Sequence, residues 1–297
     1  GSERLRAAIN KNLTDDQMNE LEMAAWLHDC GKITTPEYVV DKRTKLETIF
    51  DRIDLVDTRI EVLRRDAEIA ALQNSPPVDS IAGEEFDVAA RLQELEDIRD
   101  FLRKVNTGGE FLPPEEGQKI RALAQRYVIE IADGSCQPLL SENETKNLCI
   151  VKGTLTDAER EVVQNHIVAT INMLESLPFP KHLRNIPQIA GAHHERLDGK
   201  GYPNGLTAEE IPLQGRMLAL ADIFEALTAS DRPYRTPVPL SRALTIMGYM
   251  IEEGHLDPDL FRLFIDRRLY LGYAGKYLTS EQIDEVDPRS LPGYNTA

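Results

Sequence analysis

Thiols are few in this sequence. Three cysteines, Cys30, Cys136 and Cys149, form an odd set with no Cys-x-x-Cys pair, which argues against a disulfide framework and against a thiolate zinc site. A reduced, cytoplasmic setting fits that usage. Long apolar runs are also missing: none reaches the ~18 residues of a membrane span, and the first residues lack the charged-then-apolar grammar of a signal peptide. Positive charge is short, with 34 Lys+Arg against 50 Asp+Glu and a net charge of −16. That field repels a phosphate backbone, so duplex nucleic acid is not an expected partner. A small anionic substrate stays open, because divalent metal ions can supply the charge that the side chains lack.

The 297 residues exceed the ~100–200 typical of one domain, and the 41% hydrophobic and 28% charged content suits a packed globular chain. The opening Gly1-Ser2 reads as a cloning remnant, so the chain is expected to be a piece of something longer, such as a sensor protein.

Helix signals dominate and strand signals are scarce. Thr14-Asp15-Asp16-Gln17 reads as a capping box ahead of Leu21, Ala24, Ala25 and Leu27, predicting a helix over 15–28 that ends in His28-Asp29-Cys30-Gly31-Lys32. Ile49, Ile53, Val56, Ile60, Leu63, Ala67 and Ala70 recur at helical spacing and predict one amphipathic helix over 46–73, stopped by Asn74-Ser75-Pro76-Pro77. A second, over 84–105, carries Phe86, Ala89, Leu92, Leu95, Ile98 and Leu102, and the two are expected to form an antiparallel hairpin. Pro113-Pro114 opens a helix expected to reach Ala132, and a polar loop leads on to Gly153. A second capping box, Thr156-Asp157-Ala158-Glu159, opens a helix with Val162, Val163, Ile167, Ile171 and Leu174 on one face and His166 beside it. Further helices are expected over 186–194, 213–229, 240–253, 258–271 and 280–285. The fold class is all-α.

Chemically loaded residues fall at four places: His28 with Asp29, His166, His193 with His194, and Asp222. Asp222 sits among Leu218, Ala219 and Ala226, where an unpartnered carboxylate costs several kcal/mol. Its partner is either an arginine such as Arg216 or a group at a site. His28 could equally be a histidine meeting a helix dipole, and His166 a core residue. Adjacent His193-His194 can point two imidazoles at neighbouring positions of a metal cluster, whereas His182 and His255 read as loop or cap residues. Imidazoles and carboxylates without thiolates suit iron, manganese, zinc or nickel alike. Two such ions ~3.5–4 Å apart clamp an attacking hydroxide and a phosphoryl oxygen, which points to phosphoester hydrolysis.

His28-Asp29-Cys30-Gly31-Lys32 resembles the His-Asp signature of the HD phosphohydrolase superfamily, and the run from His193 through Glu195, Asp198, Gly199, Gly201, Tyr202 and Pro203 resembles the HHExxDGxGYP signature of its HD-GYP branch. Ala221 to Ala229 and Asp231-Arg232-Pro233-Tyr234-Arg235 resemble the helix and turn that follow there. The resemblance implies an HD-domain helical bundle with an inserted helical hairpin: an N-terminal part of the core over 1–44, the insertion over 45–152, and the remainder of the core with its C-terminal helices over 153–297. It also implies a bacterial phosphodiesterase that linearises cyclic di-GMP to pGpG, sometimes continuing to GMP, by attack of a metal-held hydroxide. The implied ligands are His28, Asp29, His166, His193, His194 and Asp222, with Asp29 bridging, for two or three divalent ions, iron or manganese before zinc, nickel or magnesium. Lys32 would contact the scissile phosphate, with Asp29 and Lys32 as the catalytic pair. Arg232 and Arg235 would hold phosphate or guanine, and Tyr202 would pack beneath the substrate loop. Glu195, Asp198, Gly199, Gly201 and Pro203 would shape that loop.

Two features depart from the family pattern. A further histidine usually precedes the His-Asp pair in a His-x-x-Arg-Val-like context, and if Arg4-Leu5 match it the histidine falls at Gly1, which leaves one metal short of a ligand. The amphipathic insertion is the second, and it is expected to support a homodimer or to pack on the chain's own core. The rival readings are an HD phosphohydrolase acting on another nucleotide, such as cyclic GMP-AMP or a mononucleotide, and a catalytically silent scaffold module.

Overall fold

The protein is described here from a computed structural model, over residues 13–73, 86–108, 111–131, 133–229 and 238–294. Helix α1 covers Asp15–Leu27, and its predicted cap is formed: Thr14 Oγ1 accepts the Gln17 N–H at 3.2 Å while Gln17 Oε1 accepts the Thr14 N–H at 2.9 Å. A 3₁₀ turn, Cys30–Thr34, and the short α2, Glu37–Val40, follow. The long helix α3 then runs Ile53–Gln73, starting later than the Leu46 of the periodicity. Glu47 accepts the Thr44 N–H and Asp51 accepts the Thr44 hydroxyl and the Ile53 N–H. Those side chains hold a tight turn in place of a first helical turn.

Helix α4 is Val88–Asn106, opened by Asp87 accepting the N–H groups of Ala89 and Ala90. Arg103 pairs with Asp57, Arg99 with Glu61 and Arg64 with Glu96; the two series run in opposite directions, so α3 and α4 form an antiparallel hairpin. Helix α5, Pro114–Arg126, stops short of the expected Ala132. Strand β1, Val128–Glu130, pairs antiparallel with β2, Cys136–Pro138, Ile129 opposite Gln137. The β-branched and aromatic run Tyr127-Val128-Ile129 before Asp133-Gly134 is a hairpin signal that outweighs the helical continuation. Helix α6, Glu142–Leu148, occupies part of the expected polar loop and is opened by a capping box of Ser141 and Glu144.

Helix α7 is Asp157–Glu175 and α8 is Ile186–Gly191. Helices α9, Leu213–Thr228, and α10, Leu240–Glu252, come next. The single helix expected over 258–271 is two, α11, Pro258–Asp266, and α12, Leu269–Tyr277, divided at Arg268, whose φ of 49° is left-handed. The expected helix over 280–285 is absent: Gln282 is buried there, with its amide nitrogen donating to the Thr228 carbonyl at 2.9 Å and its amide oxygen accepting the Thr279 N–H. Apart from the β1–β2 ribbon, the described residues are all-α. No helix among them is long and apolar enough to cross a membrane.

The chain divides into two compact units: Pro36–Val163, and the described residues up to Thr35 together with those from Gln164 on. In the Pro36–Val163 unit, Val56, Ile60 and Leu63 of α3 pack with Leu95, Ile98 and Leu102 of α4, and with Ile120, Leu139 and Leu148. The other unit has two apolar clusters. Phe224, Leu244, Met247, Phe261 and Ile265 join α9, α10 and α11, while Ala24, Leu174, Ile186, Ile189 and Ala190 join α1, α7 and α8. Burying each large aliphatic contributes roughly 1.5–3 kcal/mol. The second cluster sets side by side the elements that carry or lead into His28, His166 and His193.

Candidate metal centre

His28 ends α1. Its Nδ1 lies 2.8 Å from the Ala25 carbonyl, and since a carbonyl only accepts, that nitrogen carries the proton and Nε2 is left facing the site. His193 repeats the device, with Nδ1 at 2.6 Å from the Ala190 carbonyl. In both cases a backbone acceptor three positions back orients the ring, as a metal-ligating histidine is ordinarily held.

Asp29 lies at the middle of the cluster. Its Oδ2 is 3.3 Å from His28 Nε2 and its Oδ1 is 3.3 Å from His166 Nε2 and 4.0 Å from His193 Nε2. Asp222, brought in by α9, places Oδ1 3.5 Å from His28 Nε2. The ring centroids of His193 lie 4.8 Å from His28 and 4.1 Å from His194, and His194 lies 5.4 Å from His166. Two ligand-like groups result, His166 with His193 and His194, and His28 with Asp29 and His193. All six residues expected as ligands are thus drawn together. Asp222 does not pair with Arg216, the arginine weighed as its partner; that guanidinium binds the Asp257 carboxylate at 3.1 Å, the Ile211 carbonyl at 3.0 Å and the Ala208 carbonyl.

The donor set fits divalent ions. Asp29 Oδ1 and His193 Nε2 are buried and have no hydrogen-bond partner among the described residues, a costly condition that a cation between them relieves. Protonation points the same way at His193, His194, Asp29 and Asp222. Burial pushes the imidazoles of His193 and His194 down, His194 to about 3 with His193 beside it, so both keep neutral rings. Burial would raise Asp29, but His166, His28 and Lys32 hold its carboxyl well below the usual range. Asp222 is likewise held down against burial by His28 and His193. For His28, burial is outweighed by Asp222 and Asp29, which lift it to about 10.

The loop after His194 is braced from within. Glu195 is buried, with Oε1 accepting the Asn204 N–H at 2.8 Å and Oε2 the Leu206 N–H at 2.9 Å. A Cβ on Gly201 would lie 2.4 Å from Glu195 Cα, so only glycine fits that approach. Gly199 is left-handed, with φ 75°. Asp198 forms a two-pronged pair with Arg196, both contacts at 3.0 Å, and Arg196 and the Lys200 N–H hold it at about 2. The Tyr202 ring stacks on His194 at 4.8 Å and 23°, ahead of a cis bond to Pro203. Burial and then Asp222 and Asp29 raise the Tyr202 phenol to about 12. Lys32 Nζ is 2.5 Å from Asp29 Oδ2 and half exposed. His182 is exposed on a 3₁₀ turn, and the His255 N–H binds the Met250 carbonyl. Arg232 and Arg235 lie outside the described residues. Sequence reading missed the Ala25 and Ala190 carbonyls, whose three-residue offset from His28 and His193 was the available signal.

Residues 143–260 match the family model of the HD domain. The chain is 44% identical over 110 residues, 37% of its own length and 23% of the relative's, to the 3'3'-cGAMP-specific phosphodiesterase 3 of Vibrio cholerae. It is 43% identical over 91 residues, 31% of this chain and 24% of the relative, to a cyclic di-GMP phosphodiesterase of Thermotoga maritima. A longer alignment, 27% identical over 267 residues, covers 82% of this chain and 55% of a probable cyclic di-GMP phosphodiesterase of Vibrio cholerae. The chain spans between about a quarter and a half of the length of these curated relatives. Over residues 143–260 the chain thus resembles an HD domain, and the relatives it matches are named as 3'3'-cGAMP or cyclic di-GMP phosphodiesterases.

Proposed function

We propose that this chain is a metal-dependent phosphodiesterase that hydrolyses cyclic di-GMP to pGpG, with its active site at Asp29. One observation carries the reading: the two oxygens of Asp29 face different imidazoles, Oδ2 toward His28 and Oδ1 toward His166 and His193. A carboxylate so placed would help hold more than one ion. The residues that would hold them are His28, Asp29, His166, His193, His194 and Asp222, and two or three ions, iron or manganese before zinc, nickel or magnesium, suit nitrogen and oxygen donors without thiolate. Divalent ions bound there supply Lewis acidity toward a phosphoryl oxygen and toward water.

The chain's own residues do the rest. Lys32 brings a cation against Asp29 and neutralises charge that develops on the phosphoryl group. Glu195, Gly199, Gly201, Asp198 and Pro203 shape the loop that presents Tyr202 against His194, and Arg232 and Arg235 bind phosphate or guanine. A second substrate, 3'3'-cGAMP, is favoured by the relative at 44% identity. Free thiols at Cys30, Cys136 and Cys149 suit a bacterial cytoplasm. A second copy of the chain is proposed to cover Leu55, Val62 and Ile69, apolar residues of α3 that are exposed.

The test is elemental analysis of anaerobically purified protein, with turnover of cyclic di-GMP, 3'3'-cGAMP and a mononucleotide measured on the same sample. About two ions per chain and pGpG as product are expected. Asp29→Ala should lose both metal and turnover, whereas a scaffold module would keep its partners after that change. Hydrolysis of mononucleotides alone would overturn the substrate assignment.

A further inference from the structure

Thr170 lies one helical turn beyond His166 on α7 and is fully buried. Its Oγ1 accepts the N–H of Gly31 at 2.9 Å, across 139 positions of sequence. Gly31 is two residues past Asp29, in the 3₁₀ turn closed by the Lys32 N–H on the Asp29 carbonyl at 2.9 Å. Its own carbonyl accepts the Thr34 hydroxyl at 2.8 Å. Approach at this point is as close as backbone allows: a Cβ on Gly31 would stand 2.1 Å from the His166 carbonyl oxygen and 2.6 Å from Thr170 Oγ1. The turn bearing Asp29 therefore lies flush against the turn of α7 bearing His166, and a side-chain oxygen fastens the two.

We infer that Thr170 is a positioning residue for the metal centre. By accepting the Gly31 N–H, it fixes how far Asp29 Oδ1 stands from His166 Nε2, 3.3 Å in the structure. The inference rests on the reading of this cluster as a metal site. The hydroxyl is the part that matters. Valine has nearly the volume of threonine but no acceptor, so the Gly31 N–H would be buried without a partner. The turn relieves that condition by lifting from α7, which carries Asp29 away from His166. Serine keeps the acceptor and loses only a methyl group.

Cobalt(II) titrated into the metal-free full chain, followed by its visible absorption and by elemental analysis, reads the ligand geometry without turnover. Thr170→Val is expected to weaken cobalt binding roughly 10–100-fold, the usual scale for a group that orients ligands, and to change the absorption spectrum. Thr170→Ser should restore both toward the wild-type chain. A role in stability alone would lower the melting temperature of the metal-free protein while the folded variant kept wild-type cobalt affinity and spectrum, and that result overturns the inference. So does a serine variant that binds cobalt no better than valine. If Thr170→Val does not fold, Thr170→Ala, which leaves room for water at the Gly31 N–H, is compared with serine by the same readouts and decides in the same way. Failure of the wild-type chain itself to take up cobalt would overturn the metal reading and this inference with it, and is distinguishable from failure of the threonine variants alone.

Discussion

Lys32 Nζ stands 2.5 Å from Asp29 Oδ2, the oxygen that also faces His28, and leaves Oδ1 to His166 and His193. A cation so placed beside a carboxylate is either a surface partner or a group that meets an incoming phosphate. The second role predicts that Lys32→Met keeps its full complement of metal but loses about 100-fold in kcat, the scale of removing one donor to a developing charge. Metal content and kcat measured on one preparation check it. Unchanged turnover would leave Lys32 as a surface ion pair.

Gly31 presents a sharper steric test. The methyl group of Gly31→Ala would fall 2.1 Å from a backbone oxygen of α7, which no rotamer relieves. The variant should lose about 3 kcal/mol in urea unfolding, the upper end of overpacking costs, and bind less metal per chain, because the turn that carries Asp29 must move. Wild-type stability would mean that the turn has more freedom than this packing allows.

Why some of this was legible in the sequence and some was not follows from where each signal resides. The caps at Thr14 and Thr156 are local, since the side chain and the N–H it accepts lie three residues apart, and both helices start where the sequence predicts. The same chemistry at Ser141 and Glu144 was present and passed over. At Leu46 the apolar period continued unbroken, but the carboxylates of Glu47 and Asp51 captured backbone and hydroxyl donors and held a turn. Asp222 was legible as a carboxylate in need of a partner, while the choice of His28 over Arg216 depended on Asp257 meeting that arginine from a distant loop. Gly31 likewise read only as part of a motif, because the oxygen that demands a glycine lies on α7.

Glu144 gives the pH dependence of the Pro36–Val163 unit. Its carboxylate is buried, 2.7 Å from Arg59 Nη1 and also bound by the Ser141 N–H and hydroxyl. Burial would raise its pKa, but Arg59 and Ser141 hold it below the ordinary 4.5. A depressed carboxyl contributes stability that is fully present above the unfolded value and lost as pH falls through the folded one. Stability should therefore decline on acidification below about pH 4.5. Glu144→Gln should cost about 3 kcal/mol at neutral pH, because it leaves Arg59 without its charge partner. It should also flatten the decline, as read by urea unfolding across that range. An equally steep decline in the variant would assign the acid sensitivity to other carboxylates.

The outer face of α3 bears on assembly. Val56, Ile60, Leu63 and Ala67 are buried, yet Leu55, Val62 and Ile69, spaced seven residues apart, stay 42%, 37% and 49% exposed. Seven-residue spacing of apolar side chains is the pattern that two helices share along a common seam, which is why a second copy is proposed as the occupant. Light scattering on the full chain should then give twice the chain mass at micromolar concentration. The double variant Val62→Glu with Ile69→Glu should give one chain mass, at a melting temperature close to wild type, because both positions lie away from the buried face. A wild-type chain that is monomeric throughout would show that the stripe is simply solvated. Dissociation accompanied by loss of helical signal would instead mean that these side chains support the hairpin itself.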